Sequence, residues 1–203
     1  MKVILLSLGL FLVFYSNAEP RQNINDYIIF QSGEEQTVPV YQGVVTIKRD
    51  AFSIRFFNKK YNEKKNKSYD VRLAGFLKKH EWGKIESGLE IEKSSFFQDG
   101  SAYAITQEGN YNGFFFSDED DYLGGSHHLV YGHPDIKTAS LLKKEGEYFK
   151  LEFKIESLFL KGKLVRIADT SLSEFYIVFL NDINLDGIAD EDELTKVVIK
   201  FKQ

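Results

Sequence analysis

Six residues near the C-terminus of this 203-residue chain carry oxygen atoms at a spacing that can enclose a calcium ion. They occupy positions 1, 3, 5, 7, 9 and 12 of the segment 182–193, and they are Asp182, Asn184, Asp186, Ile188, Asp190 and Glu193. Ca²⁺ takes about six to eight oxygen ligands, and Ile188 would supply its backbone carbonyl. Gly187 stands at position 6, where a chain that wraps around the ion must turn sharply. This spacing predicts a bound calcium ion.

The acidic charge of the segment also favours a bound cation. Half of the residues in 182–193 are Asp or Glu. Like charges this close together repel one another unless a cation lies among them or solvent screens them. The alternative is an acidic turn that binds no metal, because Asp, Asn and Gly are common turn residues.

The pattern D-x-[DN]-x-[DN]-G-x5-E runs from Asp182 to Glu193 without a mismatch. Over these residues the chain resembles the calcium-binding loop of EF-hands and dockerin repeats, which implies calcium as its ligand. The flanking segments 175–180 and 197–199 depart from an EF-hand, since their aromatic and β-branched residues favour strands. The chain also has one such loop, whereas sensor EF-hands work by opening helix pairs. We therefore expect a structural calcium ion between two strands and no helix-opening switch.

A second polar segment holds three of the four histidines within seven residues. His127, His128, Tyr131 and His133 are candidates for a ligand pocket. In an extended strand His127 and His133 would lie about 20 Å apart at about 3.3 Å per residue, which is too far to share one metal ion. His128 with an acidic partner from 118–121 is a further candidate for a metal ligand. Two broader interpretations also stay open: a small exported hydrolase that uses the region 127–135, and histidines in loops and strand ends without a catalytic role.

Enzyme motifs are mostly missing from the sequence. His80 and Glu81 begin like the zinc-protease motif H-E-x-x-H, but Lys84 stands where the second histidine must be. The sequence contains no phosphate-binding loop, dinucleotide fingerprint or G-x-S-x-G elbow. It therefore favours a non-catalytic protein that binds an unidentified protein, glycan or envelope component.

Alternating apolar and polar residues dominate the chain, and this period of two is typical of β-strands. In 149–156 four apolar residues alternate with four charged ones. A strand with this pattern has one buried face and one solvent-exposed face, as in antiparallel sheets. Only 76–82 and 139–144 look helical. We predict an all-β fold, an antiparallel β-sandwich or related barrel with short connecting helices. The other predicted strands are 27–30, 38–42, 44–49, 52–57, 69–76, 89–93, 102–106, 114–116, 158–167, 175–180 and 197–201.

The first 18 residues have the layout of a secretory signal peptide, with cleavage expected after Ala18. Lys2 precedes an apolar run of about 13 residues, shorter than the roughly 20 that a membrane-spanning helix needs. We expect an exported protein, periplasmic or secreted, with no transmembrane segment after cleavage and with 19–203 as a single β-rich domain. The chain has no cysteine, so the core must hold the fold together without disulfides.

Charge limits the possible partners. The net charge of -4 argues against a nucleic-acid partner held by bulk positive charge. Within this acidic chain the segment 58–68 is predicted to form the long tip of a hairpin. One interpretation is that this tip contacts an anionic surface such as phospholipid, lipopolysaccharide or an acidic glycan. The alternative is a solvent-exposed tip with no partner. Its five lysines, against the single acidic residue Glu63, are Lys59, Lys60, Lys64, Lys65 and Lys67.

Overall fold

The computed structural model describes residues 26–38, 41–60, 62, 64–65, 69, 71–94, 97, 113–116, 126–129, 139–160 and 163–202. The predicted signal peptide and the predicted strand 102–106 lie outside these residues.

The one α-helix of the described residues, α1, is Lys79–Gly83, and two short 3₁₀ turns are Ile91–Lys93 and Ile167–Asp169. The strands are β1 (Tyr27–Gln31), β2 (Glu34–Val38), β3 (Tyr41–Ile47), β4 (Phe52–Lys59), β5 (Val71–Phe76), β6 (Leu89–Glu90), β7 (Gly113–Phe116), β8 (Ser126–Leu129), β9 (Ser140–Glu145), β10 (Tyr148–Leu160), β11 (Lys163–Arg166), β12 (Glu174–Asn181), β13 (Ile188–Ala189) and β14 (Leu194–Phe201).

Two large sheets account for most of these strands. The larger sheet has the order β11-β10-β4-β1-β2, and β7 and β9 also pair with β10. The smaller sheet has the order β3-β14-β12-β5-β8. Most neighbours are antiparallel, while β7 with β10 and β3 with β14 are parallel. The all-β, sandwich-like fold class predicted from the sequence is therefore confirmed, including its short connecting helices.

Alternate apolar residues of both sheets form a common core between them. Phe56 of β4 and Leu151 of β10 are buried against residues such as Leu73 of β5. The rings of Tyr27 in β1 and Phe179 in β12 stack with centroids 4.0 Å apart, and this contact joins the two sheets. Burial of this apolar area is the main force that holds the sheets together.

The face of the smaller sheet that points away from the larger sheet is covered by the segment around α1. Trp82 and Ile91 pack there against Tyr176 and its neighbours on β5, β12 and β14. The indole Nε1 of Trp82 donates a hydrogen bond to the carbonyl of Ile177 at 3.1 Å, and the Lys196 ammonium lies 4.4 Å from the ring centroid. Strand β12 is therefore buried on both faces, which explains why its sequence is a continuous apolar run.

Four local predictions from the sequence were wrong. The predicted single strand 158–167 is divided between the end of β10 and β11, which pair with each other in antiparallel fashion. The segment 139–144, predicted as helical, contains most of β9, because pairing with β10 supplies hydrogen bonds that override its helix-forming Leu and Lys residues. The segment 58–68 is no hairpin tip, since β4 and β5 belong to different sheets. The predicted strand 38–42 spans the end of β2 and the start of β3, which also lie in different sheets.

Trp82 is the only tryptophan of the chain, so its fluorescence reports on the outer layer alone. This layer packs on three strands that also carry the core between the sheets. We therefore expect thermal unfolding of 19–203 followed by Trp82 fluorescence to coincide, within about 1 °C, with unfolding followed by far-UV circular dichroism. A fluorescence transition several degrees lower would show that the outer layer unfolds separately, against the prediction of a single domain.

No helix in the described part of the chain is long and apolar enough to cross a membrane.

Candidate metal centre

The segment 182–193 connects β12 to β14, two neighbouring strands inside the smaller sheet. Leu180 and Leu194 lie opposite each other in the antiparallel ladder. Beyond that pair the N–H of Asn181 donates to the carbonyl of Glu193 at 3.0 Å and closes the base of the loop. The strand-like flanks expected from the sequence are therefore present, and a fixed register holds both ends of the loop.

The side-chain oxygens at positions 1, 3 and 5 of the loop lie against its own backbone. The two carboxylate oxygens of Asp182 accept the N–H groups of Asp186 and Gly187 at 3.1 Å each. The Asn184 side-chain oxygen accepts the N–H of Asp186 at 2.8 Å, and an Asp186 carboxylate oxygen accepts the N–H of Ile188 at 2.8 Å. Three of the predicted ligands thus present oxygens to the inside of one turn.

Glu193, at position 12, is a buried carboxylate with 4% of its surface exposed. Its Oε1 accepts the N–H groups of Ile183 at 2.7 Å and Asn184 at 3.3 Å, and its Oε2 accepts the N–H of Asp190 at 3.2 Å. Burial raises the pKa of Glu193; the three backbone donors oppose this shift and the charge of Asp182 adds to it. A cation in the loop would stabilise the charged form of this carboxylate.

The backbone around position 7 has the orientation that a carbonyl ligand needs. Strand β13 pairs with β6, and the carbonyl of Gly187 accepts the N–H of Ile91 at 2.9 Å. The N–H of Ile188 points instead into the loop, towards Asp186. Because the N–H and C=O of one strand residue point to the same side, the carbonyl of Ile188 also faces the loop.

The sharp turn predicted at Gly187 is present. Gly187 has a φ of +84° and Leu185 a φ of +59°, both in the left-handed region. A side chain at Gly187 would be strained in this conformation, whatever the space around it. Asp190, at position 9, accepts a hydrogen bond from the Asn184 side-chain amide at 3.2 Å, so it too lies on the inner side of the loop.

The acidic side chains are held by hydrogen bonds and are not gathered around one point. Within the residues that the structure describes, no three His, Cys, Asp or Glu side chains lie close enough together to hold a metal ion. A carboxylate oxygen that accepts one N–H keeps further lone-pair capacity. Calcium coordination would require the carboxylates of Asp182, Asp186, Asp190 and Glu193 to move towards one another.

A lysine from the connection between β4 and β5 reaches this loop. The ammonium group of Lys65 donates to the carbonyl of Asn184 at 2.8 Å. The backbone of Lys65 is held by the side chain of Asn62 at 3.0 Å, and Asn62 in turn donates to the Tyr69 hydroxyl at 3.0 Å. This contact was not predicted from the sequence. The only signal for it was the excess of lysine in 58–68 on an acidic chain.

Most of the predicted histidine pocket lies outside the described residues. The backbones of His127 and His128 lie in β8, opposite Leu73 and Arg72 of β5. Their side chains, and Tyr131 and His133 as a whole, lie outside the described residues. The prediction of a ligand pocket there stays a prediction.

A small crevice lies between the end of β4 and the start of the loop. Its cavity volume is about 10 Å³, roughly enough for one water molecule and far below the roughly 300 Å³ at which small-molecule sites begin. Its lining residues are Phe57, Asn58, Lys59, Tyr69, Asn181 and Ile183. The crevice is too small for a drug-sized ligand.

Comparisons of the chain with protein-family models, with curated proteins and with solved structures gave no match.

Proposed function

We propose that the loop 182–193 binds one structural calcium ion, and that the chain is an exported, non-catalytic β-domain protein that binds a protein, a glycan or another envelope component. The observation that carries the calcium site is the inward placement of side-chain oxygens at positions 1, 3, 5 and 12 of the loop. Asp and Asn side chains also accept nearby N–H groups in turns that bind no metal. The more specific support is Glu193, whose carboxylate reaches back across the loop to the N–H groups of Ile183 and Asn184.

The ligand set favours calcium over other common metals. Every candidate donor is an oxygen, from a carboxylate, an amide or a backbone carbonyl, and hard cations prefer such donors. Zinc sites are usually built from Cys and His, and the loop has neither. Magnesium demands near-ideal octahedral geometry at shorter distances and keeps several waters, whereas a flexible loop of this length suits the larger ion.

A structural role follows from what the loop joins. Its ends continue into β12 and β14, and its middle, β13, pairs with β6 of the outer layer. An ion held at this point would connect three parts of the fold and stabilise the native state by mass action. Both flanks are strands, so the loop has no helix pair to open.

Export and partner binding are supported by the sequence alone. Residues 1–18 have the signal-peptide layout, and the sequence lacks the common enzyme motifs.

Calcium titration of 19–203 by isothermal calorimetry tests the proposed site. We expect one site with a dissociation constant between about 10⁻⁷ and 10⁻³ M, the range spanned by calcium sensors and extracellular modules. Magnesium should bind at least about tenfold more weakly under the same conditions. If calcium up to 10 mM, about ten times the weakest constant in that range, produced neither heat nor a change in melting temperature, the loop would be an acidic turn only.

A further inference from the structure

One lysine from outside the loop 182–193 lies against it. The ammonium group of Lys65 donates a hydrogen bond at 2.8 Å to the carbonyl of Asn184, 119 positions further along the chain. Asn184 is position 3 of the loop, and its side-chain oxygen is one of the predicted calcium ligands. A positive charge therefore already lies next to a residue that would hold the ion.

The loop supplies the negative charge that this ammonium group compensates. Six of the twelve residues in 182–193 are Asp or Glu, and none is Lys or Arg. In the described part of the chain, Lys65 forms no ion pair with a single carboxylate. Its attraction to the carboxylates of the loop therefore acts through space. Lys65 is a counter-ion of the whole loop and not one half of a salt bridge.

A calcium ion in the loop would repel this ammonium group. The carbonyl and side-chain oxygens of one asparagine lie within about 5 Å of each other, and calcium binds oxygen at about 2.4 Å. An ion held by the Asn184 side chain would therefore lie within about 10 Å of the Lys65 ammonium. A double and a single positive charge at about 10 Å weaken calcium binding about fourfold even at the dielectric constant of water, and more near a protein surface.

The same ammonium group ties the connection between β4 and β5 to the loop. The backbone N–H of Lys65 donates to the side-chain oxygen of Asn62 at 3.0 Å, and the Asn62 amide donates to the Tyr69 hydroxyl at 3.0 Å. The Lys59 ammonium lies 5.3 Å from the ring centroid of Tyr69. These contacts join residues of the connection and its ends, whereas the side chain of Lys65 crosses to the loop. Breaking its hydrogen bond would release the turn at 64–65 from Asn184.

We propose that Lys65 is the counter-ion of the metal-free loop, and that calcium displaces its ammonium group from Asn184 and releases the turn at 64–65. The inference rests on the proposed calcium site and adds regulation to it. No helix pair opens, because the element that moves is one lysine side chain with the turn that carries it. An ion that repels the ammonium group only in the bound state provides the differential interaction that such a displacement needs.

Calcium titration of variants of 19–203 by calorimetry tests the role of the charge. Lys65→Gln removes it, and the control Lys64→Gln makes the same change at the preceding lysine, which is also exposed. In about 0.01 M salt, where the Debye length is about 30 Å, we expect Lys65→Gln to bind calcium about three- to tenfold more tightly than the unaltered chain. Lys64→Gln, and Lys65→Arg, which keeps the charge, should differ from the unaltered chain by less than about twofold. If Lys65 only supported the structure of the loop, its loss would instead weaken calcium binding.

Limited proteolysis of the unaltered chain tests the displacement itself. A lysine-specific protease that needs no calcium is added in chelator and in saturating calcium, and cleavage within 58–68 is compared by mass spectrometry with cleavage at Lys150 in β10. An ion that only stabilised the fold would slow cleavage at both places. We expect cleavage within 58–68 to become at least about threefold faster in calcium, and cleavage at Lys150 to become slower. In Lys65→Gln the rate within 58–68 should be the same in both conditions.

The outcomes separate this proposal from the calcium site on which it rests. An absence of calcium binding by every form of the chain overturns the calcium site and the displacement together. Calcium binding that Lys65→Gln leaves unchanged or weakens overturns the displacement alone, and so does cleavage within 58–68 that calcium slows or leaves unchanged. If Lys65→Gln fails to fold, the proteolysis of the unaltered chain decides the question without a variant.

Discussion

Replacing Glu193 by glutamine is expected to abolish the stabilisation that calcium gives to this protein. A native-state site at a calcium concentration of 100 times its dissociation constant adds about 2.7 kcal/mol to the free energy of unfolding. For a chain of this length that corresponds to a rise in melting temperature of about 5 to 10 °C. The glutamine keeps the size of the side chain and removes the charge and one oxygen at position 12, so the rise should disappear.

The same substitution should have a small effect in excess chelator. Glu193 is buried, and burial raises its pKa, so removing its charge removes a cost of desolvation. One of the backbone N–H groups that it binds loses its acceptor, which costs about 1 kcal/mol. The two effects oppose each other, and a change in unfolding free energy within about 1 kcal/mol is expected.

Glu191→Gln is the matched control for this experiment. It makes the same chemical change two residues away, at an exposed position that the motif does not use. Melting curves of all three proteins are recorded in chelator, in calcium and in magnesium. A calcium-induced rise that survives Glu193→Gln, or one that Glu191→Gln also abolishes, would contradict the assignment of position 12.

Replacing Leu73 by alanine is expected to destabilise the fold by about 2 to 5 kcal/mol. Leu73 is completely buried between the two sheets and lies opposite Phe179 in the pairing of β5 with β12. Truncation loses the transfer free energy of the side chain and leaves a cavity that the stacked sheets cannot fully close. The melting temperature should fall by about 5 to 15 °C.

Leu164→Ala makes the same chemical change at an exposed site. Leu164 lies on β11, at the edge of the larger sheet, and 58% of its surface is exposed. Its truncation should change the unfolding free energy by no more than about 0.5 kcal/mol. Urea unfolding of both variants measures the difference, and equal losses would show that the space between the sheets is not the stabilising core.

The patterns with a local physical cause were predictable from the sequence. The alternation in 149–156 belongs to β10, whose apolar residues face the core while the charged ones face solvent. The run 175–180 forms most of β12, because aromatic and β-branched residues suit a buried strand. The placement of 182–193 between two strands was also predictable, because the residues on both sides of it suit strands, and these strands pair with each other. The calcium ligands within it stay a prediction.

The pairing of strands that are distant in the sequence was not predictable, because the residues of a short segment do not specify which strand it will pair with. The segment 139–144 has helix-forming residues and still forms β9, since β10 offers it a hydrogen-bonding edge. Likewise, whether β5 would pair with β4 or join another sheet depends on distant strands, and β5 lies between β12 and β8.

By itself the sequence determined the strand-rich character of this protein, the identity of the loop residues and the presence of a lysine-rich segment on an acidic chain. These properties depend on side-chain type and on spacing within a few residues. Only the tertiary structure decided that Lys65 reaches Asn184 and that β4 pairs with β10. The contact between Lys65 and Asn184 spans 119 positions, and the pairing of β4 with β10 also joins segments that are distant in the sequence. The register of the strands, and no local spacing, brings these residues together.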